Sequence, residues 1–299
     1  MKRALLVVVG AVALGILCCT MGQRGLEGTL IFSDDRGVVM RGLDTGESRR
    51  LFEWPGVTVG RAPSIVDADI VVSYWDGDAT EAVVVYVNVE SREVRKVASG
   101  AGATAVPSER GIVYYGFHGV DSTFLVLDRQ DGSEPQRIDR LDVGLVNVVD
   151  WPRRVTQPVD CGRVGLAYTD SGGMLAMVDK SSWRTKWRGD GRYKPVLWCE
   201  DRGRLVCVEA ADDMMRLVAM RDDGTVVQEW EPRHIVGVAG YEGGRGILVS
   251  ALRPGGIAEH HDLEMWDWEG EKRHVVARGV YMRGGVMVGS GGVSVDGAR

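Results

Sequence analysis

The segment "GIVYYGFHGVDSTFLVLD", residues 111–128, sets one run of apolar and aromatic positions before a polar break and a second run after it. The same design returns in "GRLVCVEAADDMMRLVAM" at 203–220 and in "GILVSALRPGGIAEHHDLEMWD" at 246–267. Apolar runs this short, bounded by turn formers, predict pairs of β-strands rather than helices. Turn signals precede them: "PSERG" at 107–111, "CEDRG" at 199–203 and "YEGGRG" at 241–246. Gly in these signals is expected to take the left-handed backbone of a tight hairpin.

A polar turn and one more strand follow each pair. Aligned on the residue that ends the strand before that turn, the copies are "LDTGESRRL" at Asp44, "VNVESREVRKV" at Asn88, "LDRQDGSEPQRI" at Asp128, "VDKSSWRTKW" at Asp179, "MRDDGTVVQEW" at Arg221 and "WDWEGEKRHVV" at Asp267. Their separations, 44, 40, 51, 42 and 46 residues, match the rhythm of four-stranded propeller blades. The expected fold is all-β: a six-bladed β-propeller of four-stranded antiparallel blades with strands a to d in each, forming one domain over residues 24–299. The first copy, "GTLIFSDDRGVVMRGLDTGESRRLFEW", offers three strands, and the surplus runs "GVYMRG" and "GVMVG" stand near the other end. One of the two is expected to complete the first blade and so close the ring without exposed edges.

Over residues 28–296 this rhythm resembles the TolB-like and WD40-like six-bladed propellers of exported bacterial proteins. Ser108-Glu109-Arg110-Gly111 stands where that family often carries Ser-Pro-Asp-Gly. The stretches "LDTGESRRLFEW", "VDKSSWRTKW" and "RDDGTVVQEW" also resemble the blade ends of quinoprotein propellers. That second resemblance implies a pyrroloquinoline cofactor on an eight-bladed scaffold, whereas the period leaves room for about six blades here. No cofactor is assigned.

The opening "MKRALLVVVGAVALGILCC" places Lys2 and Arg3 before an apolar run from Ala4 to Cys19, the pattern of a secretory signal. Residues 1–23 read as an apolar helix that is either a signal peptide or a membrane anchor, and the run falls short of the roughly 20 residues of a comfortable span. Cys18 and Cys19 invite comparison with a lipoprotein lipobox, although Leu17 stands where a small residue is usual. Cleaved signal, anchor and lipoprotein all place the bulk of the chain outside the cytoplasm, periplasmic or at the cell surface, with this segment as the only membrane contact.

Composition narrows the function classes. Hydrophobic residues make up 44% and charged residues 26%, with 41 Gly, as suits a turn-rich globular chain. A formal net charge of −6 argues against nucleic acid as a partner, because phosphate recognition needs a basic surface. Cys161, Cys199 and Cys207 permit at most one intramolecular bridge. A Cys199–Cys207 bridge across a hairpin and two buried free thiols are both open. Trp54, Trp187 and Trp230, which recur at repeat ends, read as packing between blades.

His260, His261 and Asp262 form the most metal-like local cluster, yet neighbours on a strand face opposite ways, so the two histidines could share an ion only within a loop. No metal is assigned. No nucleophile elbow or phosphate-cradling loop occurs, and no catalytic residue is assigned. In a propeller the loops between strands b and c emerge on one face. Pooled, they contribute Asp34, Asp35, Trp75, Asp76, Asp78, His118, Asp121, Asp170, Glu209, Asp212, Asp213, His260, His261 and Asp262, against few bases such as Arg36 and Arg253. The opposite face mixes acids with Arg50, Arg92, Arg95, Arg137, Lys180, Arg184 and Lys272. The expectation is an acidic face that binds a cationic partner, either a protein or a small ligand at the cell envelope, on a non-catalytic scaffold. The alternative is an extracytoplasmic propeller enzyme, a glycan or peptide hydrolase or a degenerate quinoprotein.

Overall fold

The computed structural model describes residues 28–55, 58–60, 62–66, 69–76, 82–118, 122–141, 157–170, 172–211, 214–240, 246–253, 260–269 and 273–288. The N-terminal apolar segment lies outside the described residues, as does the turn signal at 241–245. In chain order the strands are β1 (Thr29–Ser33), β2 (Gly37–Gly42), β3 (Ser48–Glu53), β4 (Thr58–Gly60), β5 (Ser64–Val66), β6 (Asp69–Asp76), β7 (Ala82–Asn88) and β8 (Val94–Val106). Next come β9 (Gly111–His118), β10 (Ser122–Asp128), β11 (Gln136–Leu141), β12 (Val159–Asp160), β13 (Leu166–Thr169), β14 (Leu175–Asp179), β15 (Arg184–Arg188) and β16 (Tyr193–Cys199). The last are β17 (Arg204–Ala211), β18 (Met214–Met220), β19 (Val226–Glu229), β20 (Ile235–Gly240), β21 (Gly246–Leu252), β22 (His261–Asp267), β23 (Arg273–Arg278) and β24 (Gly284–Val288).

Among the described residues the strands form an all-β, propeller-like arrangement of antiparallel sheets. Four sheets have four strands, in the orders β24-β1-β2-β3, β12-β13-β14-β15, β16-β17-β18-β19 and β20-β21-β22-β23, and one sheet of eight strands runs from β4 and β5 to β11. The expectation of six separate four-stranded blades is therefore corrected: four are separate units. The physical reason is β8, whose 13 residues pair with β7 through Val94 to Ser99 and with β9 through Gly100 to Val106. Where residues 189–192, 230–234 and 279–283 lead from one sheet to the next outside any strand, this repeat has a continuous strand. It turns at a bulge between Ala101 and Thr104, with Gly102 at φ +62°.

The repeat phase read from the sequence coincides with strand ends. Asn88, Asp128, Asp179 and Asp267 are the last residues of β7, β10, β14 and β22, and Asp44 and Arg221 follow β2 and β18 closely. The recurring Asp or Asn works by a local mechanism. Asn88 Oδ1 accepts the N–H groups of Glu90 and Ser91 at 3.1 and 2.8 Å, and Asp179 Oδ1 accepts those of Ser181 and Ser182 at 2.8 and 3.0 Å. Such Asx turns give a chain leaving one strand a fixed reversal into the next. The turn then needs a left-handed residue, supplied by Gly46, Arg92, Gln130, Trp183 and Gly224 in successive copies. The two earlier turn signals among the described residues are 3-10 turns: Gly203 at φ +58° plays the expected part in one, whereas in "PSERG" the left-handed residue is Arg110 at φ +50°, not Gly111.

The core lies between neighbouring sheets. Val206, Val208 and Leu217 of one sheet meet Ile247, Val249 and Trp266 of the next, all essentially solvent-free, and each such aliphatic side chain contributes about 1.5–3 kcal/mol by leaving water. Trp54 and Trp230 are buried and donate their indole N–H to the carbonyls of Asp34 and Asp267 at 3.0 Å, while half-buried Trp187 donates to that of Asp222. The packing role read for these tryptophans is what the structure gives them. "GVMVG" supplies β24, which pairs antiparallel with β1 from Gly284 opposite Ser33 to Val288 opposite Thr29.

Cys161, Cys199 and Cys207 are free thiols. Cys207 stands opposite Pro195 and Cys199 opposite Arg204, so the hairpin register does not bring the two together. Burial pushes the Cys199 thiol up to about 12 and raises Cys161 and Cys207 as well. No helix among the described residues is long and apolar enough to cross a membrane.

Candidate functional site

The turn after β1 shows how the sheets build the predicted face. Asp34 Oδ1 accepts the N–H groups of Arg36 and Gly37 at 2.8 Å, and its two oxygens also accept Nη1 and Nη2 of Arg50 at 2.9 Å each. Burial is the largest single influence on this carboxyl and pushes it up. The Arg50 fork, the two N–H groups and the Arg50 charge together outweigh burial and hold the group below its ordinary value. The sequence grouped Arg50 with the opposite face, but it lies on β3 and reaches back across the sheet to Asp34.

The turn after β13 repeats the device. Asp170 is buried; its Oδ1 accepts the N–H groups of Gly172 and Met174 at 2.9 Å, and its Oδ2 accepts Nε of Arg188, on β15, at 2.9 Å. Beside it Lys194 Nζ donates to the carbonyls of Gly173 and Gly191, tying that turn to the connection before β16. Burial lowers the Lys194 pKa, opposed by the charges of Asp170 and Asp190.

Glu209 on β17 lies 3.4 Å from Arg192 and 3.5 Å from Arg216. Asp262 accepts Nη2 and Nε of Arg253 at 2.8 and 3.0 Å and the N–H of Gly279 at 3.3 Å. The Arg253 hydrogen bonds, ahead of the opposing effect of burial, lower the Asp262 pKa. In four places an acid of the expected face is thus neutralised at contact by arginine, a pairing that offsets part of the desolvation cost of the carboxylate.

The remaining residues divide into several cases. Asp35 is exposed. Trp75 and Asp76 end β6 and His118 ends β9, so the backbone carries them to the strand ends where the expectation put them. Asp78, Asp121, Asp212 and Asp213 lie outside the described residues. His260 is exposed, whereas His261 is buried and sets its ring edgewise on Tyr281, centroids 5.0 Å apart. Among the described residues no three His, Cys, Asp or Glu gather as a metal would need.

The sequence reading missed the arginine partners and the residues that line the central cavity. A repeated Asp ahead of the third strand, with Arg on the fourth strand of the same copy, was the available signal for Asp34–Arg50 and Asp170–Arg188. The cavity has no local signal, because each wall comes from a different sheet. A cavity of about 200 Å³ is bordered by Ser64, Thr104, Asp160, Trp198, Val238 and Arg283, from or next to β5, β8, β12, β16, β20 and β24. Ser64 Oγ accepts the Ala105 N–H at 3.0 Å, stitching two of these walls together. Asp160 accepts Lys180 Nζ at 2.7 Å, yet burial pushes the Asp160 carboxyl above its ordinary value. Gln157 Oε1 and Arg283 Nε, at the cavity margin, are buried without a hydrogen-bond partner.

No family model and no curated protein matches this sequence. Solved structures do match in shape. The chain is similar to TolB from Acinetobacter baumannii, with a TM-score of 0.63 and 8% identity over 87% of this chain and 65% of that one. It is also similar to a TolB-type protein from Agrobacterium tumefaciens, with a TM-score of 0.58 and 11% identity over 87% and 94% of the two chains. A chain of a nidogen–laminin complex gives a TM-score of 0.59 and 14% identity over 87% and 97%. The chain spans 65% of the length of the Acinetobacter TolB. The resemblance to TolB-like propellers holds at the level of the fold, and identities this low speak to fold alone.

Proposed function

We propose that this protein is an exported, non-catalytic propeller that serves as a binding scaffold at the cell envelope. In this reading residues 1–23 are the signal or anchor, and residues 24–299 form one propeller counted as six blades, the eight-stranded sheet being two blades fused through β8. The observation that carries the proposal is the set of acid–arginine pairs at Asp34, Asp170, Glu209 and Asp262, which recurs from sheet to sheet. Such pairs fix loop ends before any partner arrives, and a preorganised surface loses less freedom on binding than a mobile one.

The partner is a protein or small ligand of cationic character, not nucleic acid. It is drawn to acids of this face beyond the four paired ones, among them Asp35, Asp76, Asp78, Asp212 and Asp213. The test is capture by the tagged full chain from an envelope extract, with elution by salt. It is run beside a variant carrying Asp76→Lys, Asp78→Lys, Asp212→Lys and Asp213→Lys. Loss of the salt-eluted partner in the variant is expected. Equal capture by both proteins overturns the acidic-face reading, and an empty capture by the unmodified chain overturns a protein partner.

A further inference from the structure

At the seam between the sheet of β16–β19 and that of β20–β23, arginines gather in a pocket the scaffold does not need. Asp262, Glu264 and Trp266 share one face of β22, and the register sets them opposite Arg278, Val275 and Arg273 of β23. Arg233, held against β18 by two 2.8 Å backbone hydrogen bonds with Met215, points its guanidinium at Glu264, 3.2 Å away. Arg253 reaches in from the turn after β21 to grip Asp262. These side chains surround a pocket of about 340 Å³, a size suited to a small ligand.

Four guanidinium groups face two carboxylates, so the lining keeps a net charge of +2. The carboxylates are already committed. Asp262 holds Arg253 through both oxygens, and Glu264 takes Arg233 on one oxygen and the Trp266 indole N–H on the other at 2.8 Å. They act as orienters of two arginines. Of the other two, Arg273 has an ion pair with Glu231, 3.5 Å from Nη2 to Oε2, but that carboxylate is 87% exposed and so holds the arginine weakly in water, and Arg278 lines the same pocket. Arg273 sets its Cζ over the Trp266 ring, 4.4 Å from the centroid, a cation–π contact that restrains the guanidinium. Arg278 is exposed at the mouth. Val275, 45% exposed, adds an apolar wall between these two.

We propose that this pocket binds a phosphate group, free or as a phosphomonoester, between Arg273 and Arg278, with Arg233 and Arg253 as the charged wall behind. A guanidinium presents paired N–H donors that match two phosphate oxygens at once, and a dianion balances the charge left on the lining. This site shares the Asp262–Arg253 pair with the acidic face, but it does not need a cationic partner there. Its ligand has the opposite charge.

The test is isothermal titration of the full chain, at low salt and pH 7.5, with inorganic phosphate and separately with glycerol 3-phosphate. Saturable binding is expected, weakened at least about tenfold by Arg278→Ala and by Arg273→Lys, the latter keeping the charge but losing the fork. Arg163→Ala, on the separate sheet of β12–β15, should leave it unchanged. Tighter binding of glycerol 3-phosphate points to a headgroup-like phosphomonoester lying against Val275, and equal binding points to the free anion. Absence of saturation by about 10 mM of either ligand, or equal loss in Arg163→Ala, overturns the site.

Discussion

Asp34 carries more than a surface charge. Its carboxylate closes the turn after β1 through two N–H groups and at the same time holds Arg50 on β3, so one side chain fixes a loop and the width of a sheet. Because its folded pKa lies below the ordinary 3.8, the ionised form is what the fold favours. The stability it brings is therefore complete above the unfolded value and is lost as pH falls through the folded one. Asp34→Asn should cost about 2 kcal/mol at pH 7, within the range for hydrogen bonds to charged groups, and progressively less as pH falls below the ordinary carboxylate range through the folded pKa. Urea unfolding of both proteins over a series of acidic pH values checks this, and a cost that does not change with pH would mean that the Arg50 pairing contributes nothing. The acids themselves were legible in the sequence, since Asp34 and Asp170 sit in obvious polar breaks. Their neutralisation was signalled only by the repeated spacing of Asp and Arg: Arg50 and Arg188 lie in strands that look solvent-facing, and the folded sheet brings them to those acids.

Among the elements, β8 departs most from the repeat. The repeat as a whole announced itself because its punctuation is local chemistry, an Asx cap at Asn88 or Asp179 and a left-handed residue soon after. "VRKVASGAGATAV" contains the glycines and alanines of a linker, and nothing nearby distinguishes a strand that bends at Gly102 from two strands joined by a loop. Tertiary contact decides. A Cβ on Gly100 would stand 2.6 Å from the Tyr114 ring and 2.7 Å from the Tyr115 carbonyl oxygen, so the second half of β8 can approach β9 only without a side chain there. Gly100→Ala should destabilise by about 1–3 kcal/mol, the range of overpacking. Gly203→Ala meets no atom within 4 Å but must hold φ +58°, and should cost about 1–2 kcal/mol through backbone strain alone. Chemical denaturation of both measures the two effects separately, and a neutral Gly100→Ala would show that β8 and β9 separate there at no cost.

Across the whole molecule, the arrangement depends on its last strand. β1 has β2 on one side and β24 on the other, so without β24 the first sheet would end on a bare row of backbone donors and acceptors. β24 also abuts the neighbouring inner wall: a Cβ on Gly284 would lie 2.6 Å from the Ala62 Cβ, and one on Gly237 of β20 would lie 2.1 Å from the Met282 carbonyl oxygen. Contacts this close on both sides mean that β24 locks the sheets at the two ends of the chain together as well as completing one of them. Removing residues 284–299 should replace a single cooperative urea transition by a broader one of lower midpoint, with protein lost to edge-to-edge association. Gly284→Val leaves the strand in place but wedges it from Ala62, and should lower the midpoint by a cost of about 1–3 kcal/mol while the transition stays single. A truncated chain that unfolds along the same curve as the intact one would show that the sheets cohere without closure, and the ring would then be a consequence of their packing rather than its cause.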